Sequence, residues 1–296
     1  MSAVAPTFHL YLPQMRLPID AIAERAVAAE VAGFEGIAFM DHLAPPLALD
    51  QPMWDAMAVA TWALARTTTL LVGHLVLCDA FRHPAVLARE VTTLDHASGG
   101  RFELGIGWGS VPTEFTTFGV APTEPRDRVA RLGESLAILR GLWSGDPVDH
   151  DGEHFQVVGA QQRPTPTRPI PLTIGGVGRR TLALVREHAD WWNVPIHQLD
   201  RVDELRDQAG NARLSVQTMV AFAPDASSRD EVEAAARRRF AGTQMGERLV
   251  AGTATELAAH FTQQHAAGVD RFYVWFADFA PVDTVAGFGA VIAALS

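Results

Sequence analysis

The chain has 296 residues, 48% of them hydrophobic, which is enough apolar mass for one large α/β domain or two ordinary ones. A net charge of -10 argues against nucleic acid or anionic membrane as general partners, and no apolar run reaches the roughly 20 residues of a membrane helix. All 24 basic residues are arginine and Cys78 is the sole cysteine, so a lysine Schiff base, a disulfide framework and a cysteine metal cluster are excluded.

The opening stretch, MSAVAPTFHLYLP, has neither the basic start nor the long apolar middle of a secretory signal, and a cytoplasmic protein is expected. In chain order the strand-like runs are FHLYLP (8–13), GIAFM (36–40), TLLVGHLVL (69–77), FELGIG (102–107), PLTIGG (171–176), WWNV (191–194), SVQTMVAFA (215–223) and FYVWF (272–276). They are short, β-branched or aromatic, and mostly end in Gly, Pro or polar residues. Helical spacing fills the intervals: Pro84 opens a helix through Leu87, Val91 and Leu94, and Leu132, Leu136, Leu139 and Trp143 share one face. Two more helices are expected at roughly 228–240 and 253–268.

Eight strands alternating with helices predict an α/β fold, a single (β/α)8 TIM barrel over 1–296. A doubly wound sheet is the competitor, but no Gly-rich turn follows the first run. Residues 144–171 break the alternation with turn signals, a short FQVV run and five prolines, and read as an insertion before strand five.

Active sites of such barrels form at the C-terminal ends of the strands. In GIAFMDH (36–42), alternation sends Ile37, Phe39 and Asp41 outward and Ala38, Met40 and His42 toward the interior. His42 then faces the mouth, where an imidazole exchanges protons near neutral pH; a capping Asp beside a surface His is the plainer alternative. In LGIGWGSVPTEF (104–115), Gly105, Gly107 and Gly109 let backbone approach a ligand and Trp108 could cover a flat ring, or the stretch is a tight turn around a core tryptophan. In PLTIGGVGRRTLALVREHAD (171–190) a strand passes through Gly-Gly-Val-Gly into an amphipathic helix, whose free amides suit a phosphate; Arg179 and Arg180 add charge. Glycines placed for packing are the alternative there. In GHLVLCDAFRHPAVLARE (73–90), His74 within the third run and Asp79, Arg82 and His83 after it are further candidates, each more often a satisfied core or surface residue. His9 stands alone on strand one and no HExxH occurs, so no metal is expected.

Together the blocks AAEVAGFEGIAFMDH, FRHPAVLAREVTTLDHASGGRFELGIGWGSVPTEFTTFG, PLTIGGVGRRTLALVREHADWWNV and AGVDRFYVWF resemble the luciferase-like flavin and deazaflavin oxidoreductases over nearly the whole chain. The resemblance implies a barrel with an insertion before strand five, a homodimer, and coenzyme F-420 or FMN at the mouth. It implies that His42 is the active-site histidine and Asp41 the acid preceding it in the F-420 branch. It assigns the cofactor phosphate to the amides of Gly175, Gly176 and Val177, with Gly178 and Arg179 adjoining. It further implies a non-proline cis peptide against the ring, placed here at Leu75–Val76. Gly107, Trp108 and Gly109 at the end of strand four are further candidates for cofactor contact, and Trp108 and Trp275 would shape an apolar pocket.

Two positions depart from the sugar-phosphate dehydrogenases of that branch: Pro46 replaces a tryptophan and Ser110 an acid, while Glu114 falls on the following helix. The first functional expectation is hydride transfer between F-420 and a small organic substrate. An FMN-dependent monooxygenase served by a separate reductase is the second, and a non-catalytic flavin-binding barrel the third. Pocket walls are expected from 110–125, 144–171 and 223–270.

Overall fold

The computed structural model describes residues 5–46, 48–120 and 124–296. Its main sheet consists of parallel strands: β1 (Thr7–Tyr11), β2 (Gly36–Phe39), β3 (Leu71–His74), β4 (Leu77–Cys78), β5 (Leu104–Gly107), β8 (Leu172–Gly175), β9 (Trp191–Val194), β10 (Arg213–Phe222), the short β11 (Val250–Gly252) and β12 (Arg271–Phe276). A two-stranded antiparallel hairpin, β6 (Val148–Asp151) and β7 (Gln156–Ala160), stands apart from it. Pairing runs β3-β2-β1-β12-β10-β9-β8-β5-β4, and Val72 closes the ring by bonding to Arg101 and Glu103 just before β5. β3 and β4 are two halves of the third barrel strand, separated by Leu75 and Val76. The eight expected runs thus make a closed barrel, and β11 pairs with β10 as an addition that the sequence did not signal.

Helices cover the outside: α1 (Ile19–Ala32), α2 (Ala56–Arg66), α3 (Pro84–Ser98), α4 (Pro112–Thr117), α5 (Pro125–Ser144), α6 (Arg179–His188), α7 (Val202–Leu205), α8 (Arg229–Arg239), α9 (Gln244–Glu247), α10 (Ala254–Ala266) and α11 (Val282–Leu295). Strand alternation decides what each layer contains. Phe8 and Leu10 of β1 turn outward, and Phe8 meets Phe261 of α10 and Phe288 of α11 at centroid distances of 5.2 and 5.8 Å. The neighbour Tyr11 turns inward with Ala38, Met40 and Tyr273. The bottom of the barrel is plugged by Arg271, which donates to Glu103 at 2.8 Å and lies 3.9 Å over Trp191. A buried cation is tolerable there because both its charge and its flat face are matched.

The hairpin lies in the expected insertion. Glu134 of α5 anchors its turn by accepting from the amides of Glu153, His154 and Phe155. Among the described residues no helix is long and apolar enough to cross a membrane.

Candidate active site

A cavity of about 590 Å³ opens at the C-terminal ends of the strands, within the range of small-molecule and cofactor sites. Asp41, His42, Leu75, Val76, Gly107, Trp108, Gly109 and Gly175 through Gly178 all line it; Arg179 does not, and is exposed on the outer side of α6. Alternation along β2 holds through its end. Ile37 and Phe39 pack under the helices, Ala38 and Met40 pack inside, and His42 reaches the cavity.

His42 is not alone. Its Nδ1 lies 2.8 Å from Oε2 of Glu114, while Oε1 of the same carboxylate accepts from the amides of Leu43 (2.7 Å) and Ala44 (3.2 Å). Burial by itself would raise the pKa of Glu114; the His42 ring and the two amides outweigh it and hold the carboxyl below its ordinary range. Asp41 is also buried. It accepts from the Cys78 amide at 2.8 Å and from Arg82 at 2.5 Å, so its carboxylate points outward to backbone and a cation, as alternation requires, although its edge still touches the cavity. Arg82 therefore belongs to the site's supporting structure. Asp79 pairs with Arg131, His83 caps α3, and His74 is buried with Nε2 at the Ala56 carbonyl and Nδ1 unpartnered among the described residues; none of the three lines the cavity.

The peptide between Leu75 and Val76 is cis and non-proline, where the resemblance placed it. The glycines of β5 correct the sequence reading. A Cβ on Gly105 would sit 1.8 Å from the His74 carbonyl oxygen, and one on Gly107 2.8 Å from Val76. A Cβ on Gly109 would meet Phe115 at 2.5 Å and Cys78 at 2.8 Å. Protein atoms crowd the Cβ side of each position, which by itself accounts for glycine there, although Gly107 and Gly109 still border the cavity. Trp108 lies on the cavity wall and packs against the core, its ring 5.0 Å from the Arg128 guanidinium.

The Gly175–Gly178 turn differs. A Cβ on Gly175 or Gly178 would meet nothing closer than 3.9 or 3.7 Å, so packing does not require glycine there. Gly176 has φ 125°, its amide donates to the Asn193 carbonyl and its own carbonyl accepts from the Trp192 indole. Gly178 is the N-cap of α6 and supplies no side-chain acceptor to the first-turn amides of a helix that buries Thr181, Leu182 and Val185.

Other cavity residues escaped the sequence reading. Tyr11, Asn193 and Gln217 line it from the inner faces of β1, β9 and β10, and Tyr11 bonds to Gln217. Burial raises the Tyr11 phenol, which keeps its proton. The available signal was a polar residue at an inward position of the alternation, plainest at Asn193 in WWNV. The 144–171 insertion contributes no wall, because Glu134 holds its hairpin against α5; Ile196, His197 and Gln198 line the cavity in its place. The expected 110–125 wall is present at Ser110 and Glu114, and its residues 121–123 lie outside the described residues.

Residues 2–291 match the luciferase-like monooxygenase family. The chain belongs to that family. Over 158 residues this luciferase-like protein is 34% identical to an F-420-dependent glucose-6-phosphate dehydrogenase of Kineococcus radiotolerans, covering 53% of this chain and 47% of that one. Over 160 residues it is 37% identical to the enzyme of the same description from Mycolicibacterium smegmatis, again covering 53% and 47%. The chain spans about half the length of the curated relatives it matches. Among solved structures, an F-420-dependent secondary alcohol dehydrogenase in complex with an F-420–acetone adduct superposes with a TM-score of 0.83 at 20% identity, covering 99% of this chain and 100% of that one. The coenzyme F-420-dependent tetrahydromethanopterin reductase of Methanopyrus kandleri gives 0.81 at 18%, covering 99% and 100%. At such identities these two structures speak to the luciferase-like barrel fold.

Proposed function

We propose that this protein is an oxidoreductase that moves a hydride between coenzyme F-420 and a small organic substrate. The observation that carries the reading is a single cavity holding an uncapped glycine turn on β8 and a histidine–carboxylate pair at the end of β2, three strands round the barrel. The residues present fit a phosphate-bearing ring. Gly175 and Gly178 are bare without any packing need, and backbone amides at the start of α6 suit a phosphate. Gly175, Gly176 and Val177 would hold that phosphate. Leu75 and Val76 would back the ring, with Gly107, Trp108 and Gly109 at its side. The deazaflavin supplies two-electron hydride chemistry when bound. His42 would exchange the coupled proton, and Asp41, fixed by Arg82 and the Cys78 amide, would orient the loop that carries it.

Curated relatives of the F-420 branch support the cofactor assignment. Their sugar-phosphate activity is not carried over, because Pro46 and Ser110 stand where that branch has a tryptophan and an acid. The family resemblance also implies a homodimer, open to test by light scattering. Purified protein titrated with F-420 and with FMN, followed by absorbance and fluorescence, decides the cofactor. F-420 is expected to bind at least about tenfold tighter. Tight uptake of reduced FMN with oxygen consumption, and no response to F-420, would replace this reading by the monooxygenase one.

A further inference from the structure

We propose that Glu114 is a positioning residue that dictates which nitrogen of His42 exchanges protons; the inference rests on the reading of His42 as the proton-handling group. Glu114 projects from α4, one turn past the glycines of β5, and reaches back across the mouth to the loop after β2. Its Oε2 meets His42 Nδ1 at 2.8 Å and its Oε1 takes the amides of Leu43 and Ala44. The ring and the amides keep the carboxyl ionised at neutral pH despite its burial. A carboxylate has no hydrogen to give, so Nδ1 must carry one whether the ring is neutral or charged.

The consequence falls on the other nitrogen. Nε2 of His42 has no partner among the described residues, and the ring lines the cavity. A neutral ring therefore presents a lone pair at Nε2 and a charged ring presents N–H at the same atom. When a substrate proton is taken, the X–H bond breaks, its electron pair stays on X, and the N–H bond forms at Nε2; the reverse transfer returns it from there. The same carboxylate ties the backbone of 43 and 44 to α4, so tautomer and ring plane are set together.

Exchange of Glu114 for glutamine inverts this arrangement with little change of shape. The amides of Leu43 and Ala44 still need an acceptor, so the glutamine carbonyl takes their position and its NH2 group turns to Nδ1. Nδ1 must then accept, and the neutral ring becomes the Nε2–H tautomer with no lone pair for the substrate. In a comparable serine protease pair, Asp→Asn costs about 10⁴-fold in turnover through the wrong tautomer.

The test uses protein labelled with 15N-histidine and free of cofactor, with long-range 1H–15N spectra taken where the His42 ring is neutral. Wild type is expected to show a bare Nε2, and E114Q a protonated one. Turnover with F-420 is expected to fall about 100-fold or more in E114Q, with the F-420 Kd moving less than about threefold. In a His42→Asn background E114Q is expected to add nothing further. Wild type with Nε2–H, E114Q with an unchanged tautomer, or an equal E114Q penalty in the His42→Asn background would each overturn the proposal. If E114Q does not fold, the wild-type spectrum alone decides. A correct tautomer in a protein that ignores F-420 would uphold Glu114 and remove the cofactor reading.

Discussion

At residue 105 the decisive neighbour is a carbonyl oxygen. A methyl group there would stand 1.8 Å from the main chain of His74, and backbone cannot step aside as a long side chain can. Gly105→Ala is expected to destabilise the fold by about 3 kcal/mol or more, at or beyond the upper end of overpacking costs, read as a lower urea midpoint with an unchanged slope. Gly175→Ala, with no protein atom within 3.9 Å, is expected to leave stability nearly unchanged and to weaken F-420 binding. Equal effects at the two glycines would refute the distinction between a packing and a ligand-facing position. A similar separation applies to Asp41. Its carboxylate is buried with Arg82, and Arg82→Met would strand the charge at about 3 kcal/mol, measurable by denaturation without any substrate. In the sequence the three glycines of 105–109 and the cradle glycines look alike. What tells them apart is which atoms lie opposite: residues 105, 107 and 109 face His74, Val76 and Cys78 of the third strand, whereas Gly175 has nothing closer than Asn193 and Val76 at 3.9 Å.

Elements were legible where periodicity was strong. The eight runs, Pro84 at the start of α3 and the helices near 229–239 and 254–266 follow from alternation, helical spacing and breakers. The third run, read as one strand over 69–77, is divided into β3 and β4 at the cis peptide, which composition does not encode. The insertion was correctly set outside the alternation, yet its place was not legible. The FQVV run pairs with Val148–Asp151, and one carboxylate from α5 takes three consecutive amides of its turn. Glu134→Ala is expected to speed hydrogen exchange of amides 153–155 by about tenfold or more, leaving β1 and β12 protected. Unchanged exchange at 153–155 would mean that pairing of β6 with β7 suffices to hold the hairpin.

For the molecule as a whole, buried histidines set the response to acid. His74 is fully inside, and burial lowers its pKa to about 4 against an ordinary 6.5. The folded state therefore resists a proton that the unfolded chain accepts. The contribution is fully present above about pH 6.5 and is lost as pH falls toward 4, by about 3 kcal/mol in all. His9 is lowered in the same direction, by burial first and by Arg271 second. Glu35 sits at about 2, where the His9 ring and Arg271 overcome its burial, so its contribution holds above the ordinary carboxylate range and disappears below it, toward pH 2. Stability is thus expected to decline from pH 6.5 downward in two stages. His74→Gln, able to keep a bond to the Ala56 carbonyl, should flatten the first; an unchanged slope between pH 6.5 and 4 would show that the ring is not the proton acceptor.

What the sequence determined by itself was the periodic part: eight strands, their order, the outward and inward faces of β2, and the placing of His42 and the Gly-Gly-Val-Gly turn at the same end of the barrel. These rest on spacing between near neighbours, which chain geometry converts directly into direction. Tertiary structure alone decided that Glu114 meets His42, that Asp41 is held by Arg82, that Arg179 stays outside and that the hairpin lines no wall. Each depends on how far one element leans toward another after the barrel has closed, and closure brings together side chains whose separation along the chain carries no period.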